Sequence, residues 1–261
     1  MSRRKLVESA AEQEAREAGL TGHCAALSVA LRAQHIIDTG QVEQPEQDLI
    51  RAYTQARQLA GPFEERLRLA KWPGGVQAQA RPNKVKSLER LVEKYLYART
   101  ALVVPVDILG AKVVVDSLWG MYDVAAYVQR VFPVVAYRDR VVRPQSSGYR
   151  DLQFVLDVNG HYTELKVMHA MIDELDGFEH RLYEIRRGLQ AKESEQQANM
   201  VIETEEVDLN LEDADFGDPV LTPIEQLVLD TLDATSADLF NQAWKMILAA
   251  EALQRQEGGS P

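Results

Sequence analysis

The sequence predicts an α/β (α+β) domain: a mixed β-sheet of about five strands covered by helices, with helical extensions at both ends. Three observations carry this. Between residues 87 and 190 the hydrophobic period changes from helical to alternating and back, in the order helix, strand, helix, strand, strand, strand, helix. Two alternating runs, "RDLQFVLDV" and "HYTELKVMH", meet at Asn159-Gly160, a pair that favours a two-residue hairpin turn. Apolar residues recur at helical spacing near both ends, in "CAALSVALRAQHII" and in "SADLFNQAWKMILAAEALQRQ".

Four segments follow in order. Residues 1–75 are an N-terminal helical segment. Breaks are expected at Gly19–Gly22, near Gly40 and at Gly61-Pro62, and "WPGG" at Trp72–Gly75 ends it. Residues 76–190 form the sheet-bearing portion. "SLERLVEKYLYAR" is an amphipathic helix with Ser87 as its N-cap. "AKVVVDS" is a β-branched run short enough for a buried strand, "MYDVAAYVQRVF" returns to helical spacing, and "VVAYRDRVV" is a strand. After the loop "RPQSSG" comes the hairpin, and then the helical stretch "DELDGFEHRLYEIRRGLQ". Residues 191–218 are read as an acidic linker, and 219–261 as a C-terminal helical segment.

Charge sharpens the division. The net charge of -11 argues against wholesale nucleic-acid binding. From Leu189 to Asp218 ten acids face one lysine, whereas Arg81 to Arg187 holds 16 Lys/Arg and 14 Asp/Glu, a net of +2. The middle of the chain can therefore take a phosphate-bearing ligand, while the acidic stretch has too little apolar content to offset the entropy of ordering. No apolar run reaches the ~18 residues of a membrane span, and "MSRRKLVESAAEQEAREAGL" has no apolar signal core. Cys24 is the only cysteine, so no internal disulfide is expected and a cytoplasmic setting is the default.

Two carboxylates stand out. Glu164 shares a strand face with Tyr162 and Lys166, opposite Thr163, Leu165 and Val167. Alternation alone puts it on a solvated face. Asp107, in "VVPVDILGAKVVV", adjoins an apolar run, where a charge is unusual. Two carboxylates at strand ends suit Mg²⁺, which takes few protein oxygens and leaves room for phosphates. Two basic groups flank them: Arg81, Lys84 and Lys86 before a helix N-terminus, and Arg138, Arg140, Arg143 and Arg150 around a Gly-Tyr turn. Together they suggest one polyphosphate cradle. The chain has no GxxxxGK[ST] loop, no GxGxxG turn after a strand, and no CxxC or HExxH zinc motif.

In order and spacing, "RPNKVKS", "DILGAKVVV", "RDRVVRPQSSGYRDLQ", "TELKV" and "FEHRLY" resemble the synthetase domain of RelA/SpoT-type (p)ppGpp synthetases, in a small alarmone synthetase-like or toxin-like form. The resemblance covers Arg81 to about Arg187. It implies transfer of the β,γ-pyrophosphate of ATP to the 3′-hydroxyl of a guanine or adenine nucleotide, with Mg²⁺. Asp107 would bind the metal, and Glu164 would help hold it and take the hydroxyl proton. Arg81, Lys84, Ser87, Lys112 and Arg138 would contact ATP. Tyr149 would stack on the acceptor base, with Gln145, Ser147 and Gln153 around it.

The chain departs from the family pattern at several places: Lys112, Gln145 and Gln153 stand where the family has arginine, lysine and histidine, Asn83 where it has lysine, and Ala136 where it has arginine. Lys166 and Met168 replace the glutamine and arginine that follow the glutamate. These changes thin the phosphate contacts. They leave three readings open: alarmone synthesis from GDP, GTP or an adenine nucleotide; a toxin-like member acting on the 3′ end of tRNA or depleting adenine nucleotides; and a degenerate nucleotide-binding module. An antitoxin partner or a homo-oligomer fits the toxin-like and synthetase readings. The N-terminal helices lack the His/Asp metal motifs of a hydrolase domain, so synthesis without degradation is expected.

Overall fold

The computed structural model describes residues 9–34, 37–96, 103–179, 181–182, 184–186, 188–189 and 221–256. Three helices come first: α1 (Ala10–Glu17), α2 (Gly22–Gln34) and α3 (Leu49–Leu69). Then follow β1 (Ala78–Val85), α4 (Leu88–Leu96), β2 (Leu109–Val115), α5 (Leu118–Val131), β3 (Val134–Asp139), β4 (Leu152–Val158) and β5 (His161–His169). A helix over 170–179 is α6, and α7 spans Pro223–Gln256. The five strands form one mixed sheet in the order β1-β2-β5-β4-β3. Among the described residues only β2 and β5 pair in parallel; the other neighbours are antiparallel.

The two faces of the sheet differ because side chains alternate. One row across all five strands reads Ala80, Ala111, Leu165, Phe154, Tyr137. The adjacent row reads Gln79, Lys112, Lys166, Gln153, Arg138. The apolar face packs against α3 and α5, with α2 beside β3. α3 presents Ala52, Ala56, Ala60, Phe63 and Leu67 at helical spacing, and its small residues let the helix lie close to the sheet. The buried residues of α1, α2, α3, α5 and α7 join the sheet in one apolar cluster.

Local sequence explains most boundaries. Ser9 and Glu12 form a reciprocal capping box on α1. Ser87 Oγ accepts the amide of Arg90, as expected for the α4 N-cap. Asn159 and Gly160 turn with positive φ at both positions.

Three expectations are corrected. The helix does not break at Gly61-Pro62: α3 runs through, because the apolar stripe before and after Pro62 packs on the same sheet face. The expected element order lacks its first strand: the basic stretch from Arg81 is part of β1, an edge strand, where Pro82 is tolerated. The C-terminal helix begins at Pro223, thirteen residues before Ser236. The acidic stretch 191–218 lies outside the described residues. Among the described residues, no helix is long and apolar enough to cross a membrane.

Candidate functional site

The polar sheet face carries Arg81, Lys112, Arg138, Gln153 and Glu164 of the residues singled out from the sequence. Glu164 pairs in register with Gly110 on β2 and Val155 on β4. Gly110 leaves open space that Arg81 uses: a Cβ there would lie 3.3 Å from Arg81 Nη2 and 3.5 Å from the Glu164 carbonyl oxygen. The same Nη2 donates to the Asp107 carbonyl at 3.4 Å. Asp107 sits in the turn entering β2, and its Oδ2 accepts from Lys86 Nζ at 2.6 Å. The Lys86 amide donates to the Ile108 carbonyl at 2.8 Å, so the chain is pinned on both sides of Asp107. Arg81, Lys86, Asp107 and the Ser87-capped start of α4 therefore gather at the β1–β2 edge, beside the strand that bears Glu164. Lys112 lies one row further on and pairs with Asp173 of α6 at 2.5 Å. Lys84 is left out: it has positive φ, its side chain is exposed, and it lies 3.9 Å from Glu64.

Glu164 is only 9% exposed, which corrects the reading of a solvated face. Its Oε1 accepts from Gln153 Nε2 at 2.5 Å, and Lys166 Nζ lies 4.0 Å from Oε2. Gln153 Oε1 accepts in turn from Arg140 Nη2 at 2.6 Å and from Thr39 Oγ1 at 2.7 Å. Arg140 Nη1 reaches Asp151 at 3.3 Å, and the Tyr149 hydroxyl donates to Asp151 Oδ2 at 3.1 Å. Burial makes this chain of groups electrostatically costly unless it is paired. The Glu164 charge holds the Lys166 ammonium above its ordinary range. Burial pushes the Asp151 and Asp176 carboxyls up, and raises the Tyr149 phenol well above its ordinary value.

Tyr149 is covered. It is 5% exposed, with the Phe240 ring edge-on at 5.5 Å and Lys166 Nζ at 5.5 Å from its ring centroid. Gly148, at φ +78°, lets the loop meet α7: a Cβ there would be 3.2 Å from both the Ala237 carbonyl oxygen and Phe240 Cβ. Arg150 lies over the Trp244 ring at 4.8 Å. The aromatic shelf expected from the Gly-Tyr turn is thus sealed by a helix placed far downstream. Gln145 is exposed and Ser147 half-buried in the turn before it.

The two basic groups do not make one cradle. Arg81 and Lys86 are at the β1–β2 edge, and Arg138 is on β3 at the opposite edge, where it forks onto Asp38. Asp151, Lys166, Asp173 and Thr39 belong to the polar network without having been assigned roles from sequence; Lys86 and Arg140, grouped there with the phosphate-binding cations, pair instead with Asp107 and with Asp151 and Gln153. Lys166 was legible as the same-face neighbour of Glu164. Thr39 carries no local signal, because its contact with Gln153 spans 114 positions.

Among the described residues, no three His, Cys, Asp or Glu side chains gather to hold a metal. Asp107, in the turn entering β2, and Glu164, on β5, offer hard carboxylate oxygens. Such a pair fits Mg²⁺, which keeps most of its positions for water and phosphate oxygens.

No family model matches the sequence, and no curated protein matches it. Among solved structures, the chain is similar to the small alarmone synthetase 1 from Bacillus subtilis, with 14% identity, 81% of this chain and 96% of that one covered, and a TM-score of 0.48. It is also similar to the small alarmone synthetase 2 from Bacillus subtilis, at 16% identity, 78% and 96% coverage, and a TM-score of 0.44. A third similar structure is the complex between the type VI effector Tas1 and its immunity protein, at 15% identity, 77% and 99% coverage, and a TM-score of 0.43.

Proposed function

We propose that the chain is an ATP-dependent pyrophosphotransferase that moves the β,γ-pyrophosphate of ATP to the 3′-hydroxyl of a guanine or adenine nucleotide. The observation that carries this reading is the grouping of Asp107, Arg81 and Lys86 beside Gly110, the register partner of Glu164. Phosphoryl transfer asks mainly for positioning and charge neutralisation, and this edge offers both. In the proposed reaction, Arg81, Lys86 and Lys112 bind and orient the ATP phosphates. Glu164 accepts the 3′-hydroxyl proton as that oxygen bonds to the β-phosphorus. The bond from the β-phosphorus to the α–β bridging oxygen breaks, and AMP leaves with that oxygen. Asp107 and Glu164 would hold Mg²⁺, which supplies neutralisation of the phosphate charge. Gln153 and Lys166 keep Glu164 oriented.

A second reading, a nucleotide-binding module without turnover, is favoured by the covering of Tyr149 under Phe240. Incubation with labelled ATP and Mg²⁺, plus GDP, GTP or ADP, separates the two. A labelled acceptor carrying two added phosphates is expected, with AMP formed in equal amount. ATP binding without product from any acceptor would overturn the transferase reading in favour of the second.

A further inference from the structure

α7 is 34 residues long, and it buries one stripe on the body of the chain through Leu229, Ser236, Phe240, Ala243, Trp244 and Ile247. A second stripe is turned outward. It carries Leu232, Leu239, Met246 and Leu253, each seven residues after the one before. Between them, at alternating steps of four and three, stand Val228, Thr235, Gln242 and Ala249. This is the heptad spacing of a coiled-coil seam. Leu232 and Leu239 are half-buried, and the other six positions are exposed, Met246 by 60% and Leu253 by 59%. From Val228 to Leu253 the seam runs about 38 Å at 1.5 Å per residue. A helix that has already buried one stripe gains nothing from a second regular apolar stripe unless something else covers it.

We infer that this seam binds a second copy of the chain, α7 against α7, antiparallel about a two-fold axis. In that arrangement the seam is complementary to itself. Leu232 meets Ala249 of the other copy, Met246 meets Thr235, and Leu253 meets Val228, a bulky side chain against a smaller one each time. Leu239 meets Gln242 beside the axis, where one polar layer fixes the register. The next layer at each end pairs Glu225 with Gln256, so the apolar seam closes on polar residues.

Charge selects the same arrangement. Asp238 and Lys245 are exposed along the solvent side of the seam, one heptad apart. The antiparallel register sets Asp238 of each copy against Lys245 of the other, giving two equivalent ion pairs. A parallel pairing would instead set both charges against alanines, Ala243 and Ala250. Asp230, Asp233, Glu251 and Arg255 project from other faces of α7, with Gln226, Arg186, the Leu118 amide and Thr21 as their partners. The same helix thus serves two contacts, Phe240 on Tyr149 within the chain and the seam between chains. The inference does not depend on the proposed reaction.

Sedimentation of the full chain over a micromolar concentration range tests it, and twice the chain mass is expected. Met246→Glu, at an exposed position, should raise the dissociation constant about a hundredfold or more and return the monomer, with an unchanged circular dichroism spectrum. Asp238→Lys and Lys245→Glu should each raise it about tenfold, because each sets like charges together twice in the symmetric pair. An equal mixture of these two variants should restore the dimer, and so should the double variant. A monomer in the unsubstituted chain overturns the inference. So does an assembly whose mass ignores Met246→Glu, or a dimer that the charge variants leave unchanged or weaken without rescue on mixing.

Discussion

Glu164 and His161 lie three residues apart on β5 and show opposite ways of surviving burial. Glu164 stays on the polar face with a donor, Gln153, and a nearby cation, Lys166. Replacing it by glutamine removes the charge but keeps an acceptor for Gln153. Glu164→Gln, and likewise Asp107→Asn, should therefore lower transfer by a factor of about 10² or more while shifting the melting temperature by only a few degrees. Near-normal rates in either variant would remove that residue from the reaction. His161 is fully buried on the other face, between Gln55 and Gln44. Gln44 donates its amide N–H to the Tyr162 carbonyl at 2.6 Å and accepts the Tyr162 amide at 2.9 Å, so its free hydrogen is directed to His161 Nε2. Nδ1 then carries the ring proton and donates to Gln55 Oε1. Burial holds this imidazole down to about 4. The unfolded chain takes up its proton near the ordinary value of about 6.5, so the unfolded state gains ground as pH falls from there towards the folded value. Denaturant unfolding should lose roughly 3 kcal/mol between pH 7 and pH 4 from this group. In His161→Gln that portion of the acid slope should vanish; an unchanged slope would show that other groups set it.

At the scale of elements, legibility followed periodicity. β4 and β5 were visible because their alternation is clean and Asn159-Gly160 joins them. β1 was not: "AQARPNKV" has weak apolar contrast, a proline and a positive-φ lysine, and it becomes a strand only because β2 is there to pair with it. The Asp107 and Glu164 positions were legible from residue type and motif. The Lys86 partner of Asp107 was not, because it reaches Asp107 across a fold-level approach of two strands. The docking of α7 on the Gly-Tyr turn was equally hidden. Its contact rests on Phe240 against Tyr149 and on the missing side chain of Gly148. Phe240→Ala should cost about 3–5 kcal/mol, as large-to-small changes in cores do, and should open Tyr149 to nitration by tetranitromethane. Gly148→Ala should open it too, since its backbone conformation disfavours any side chain and the new methyl group would press on the α7 backbone. Protection of Tyr149 in both variants would mean that α7 is held without this contact.

Over the whole molecule, one apolar cluster runs from α1 to α7, so the helical ends and the sheet are expected to unfold together. Trp244 of α7 donates to the Ala18 carbonyl at 3.2 Å, while Trp72 packs with Tyr127 and Phe132 on the far side. Fluorescence, which senses both environments, and far-ultraviolet dichroism should give coincident denaturation curves; in Phe240→Ala the fluorescence change should come first. Coincident curves in that variant would show that α7 and the sheet remain a single cooperative unit. The position of α7 also bears on how the protein is made. Every strand of the sheet leaves the ribosome before the helix that seals Tyr149, and synthesis runs from the N-terminus. Until α7 has emerged, Tyr149 and the ion pairs beside it therefore stay in contact with water.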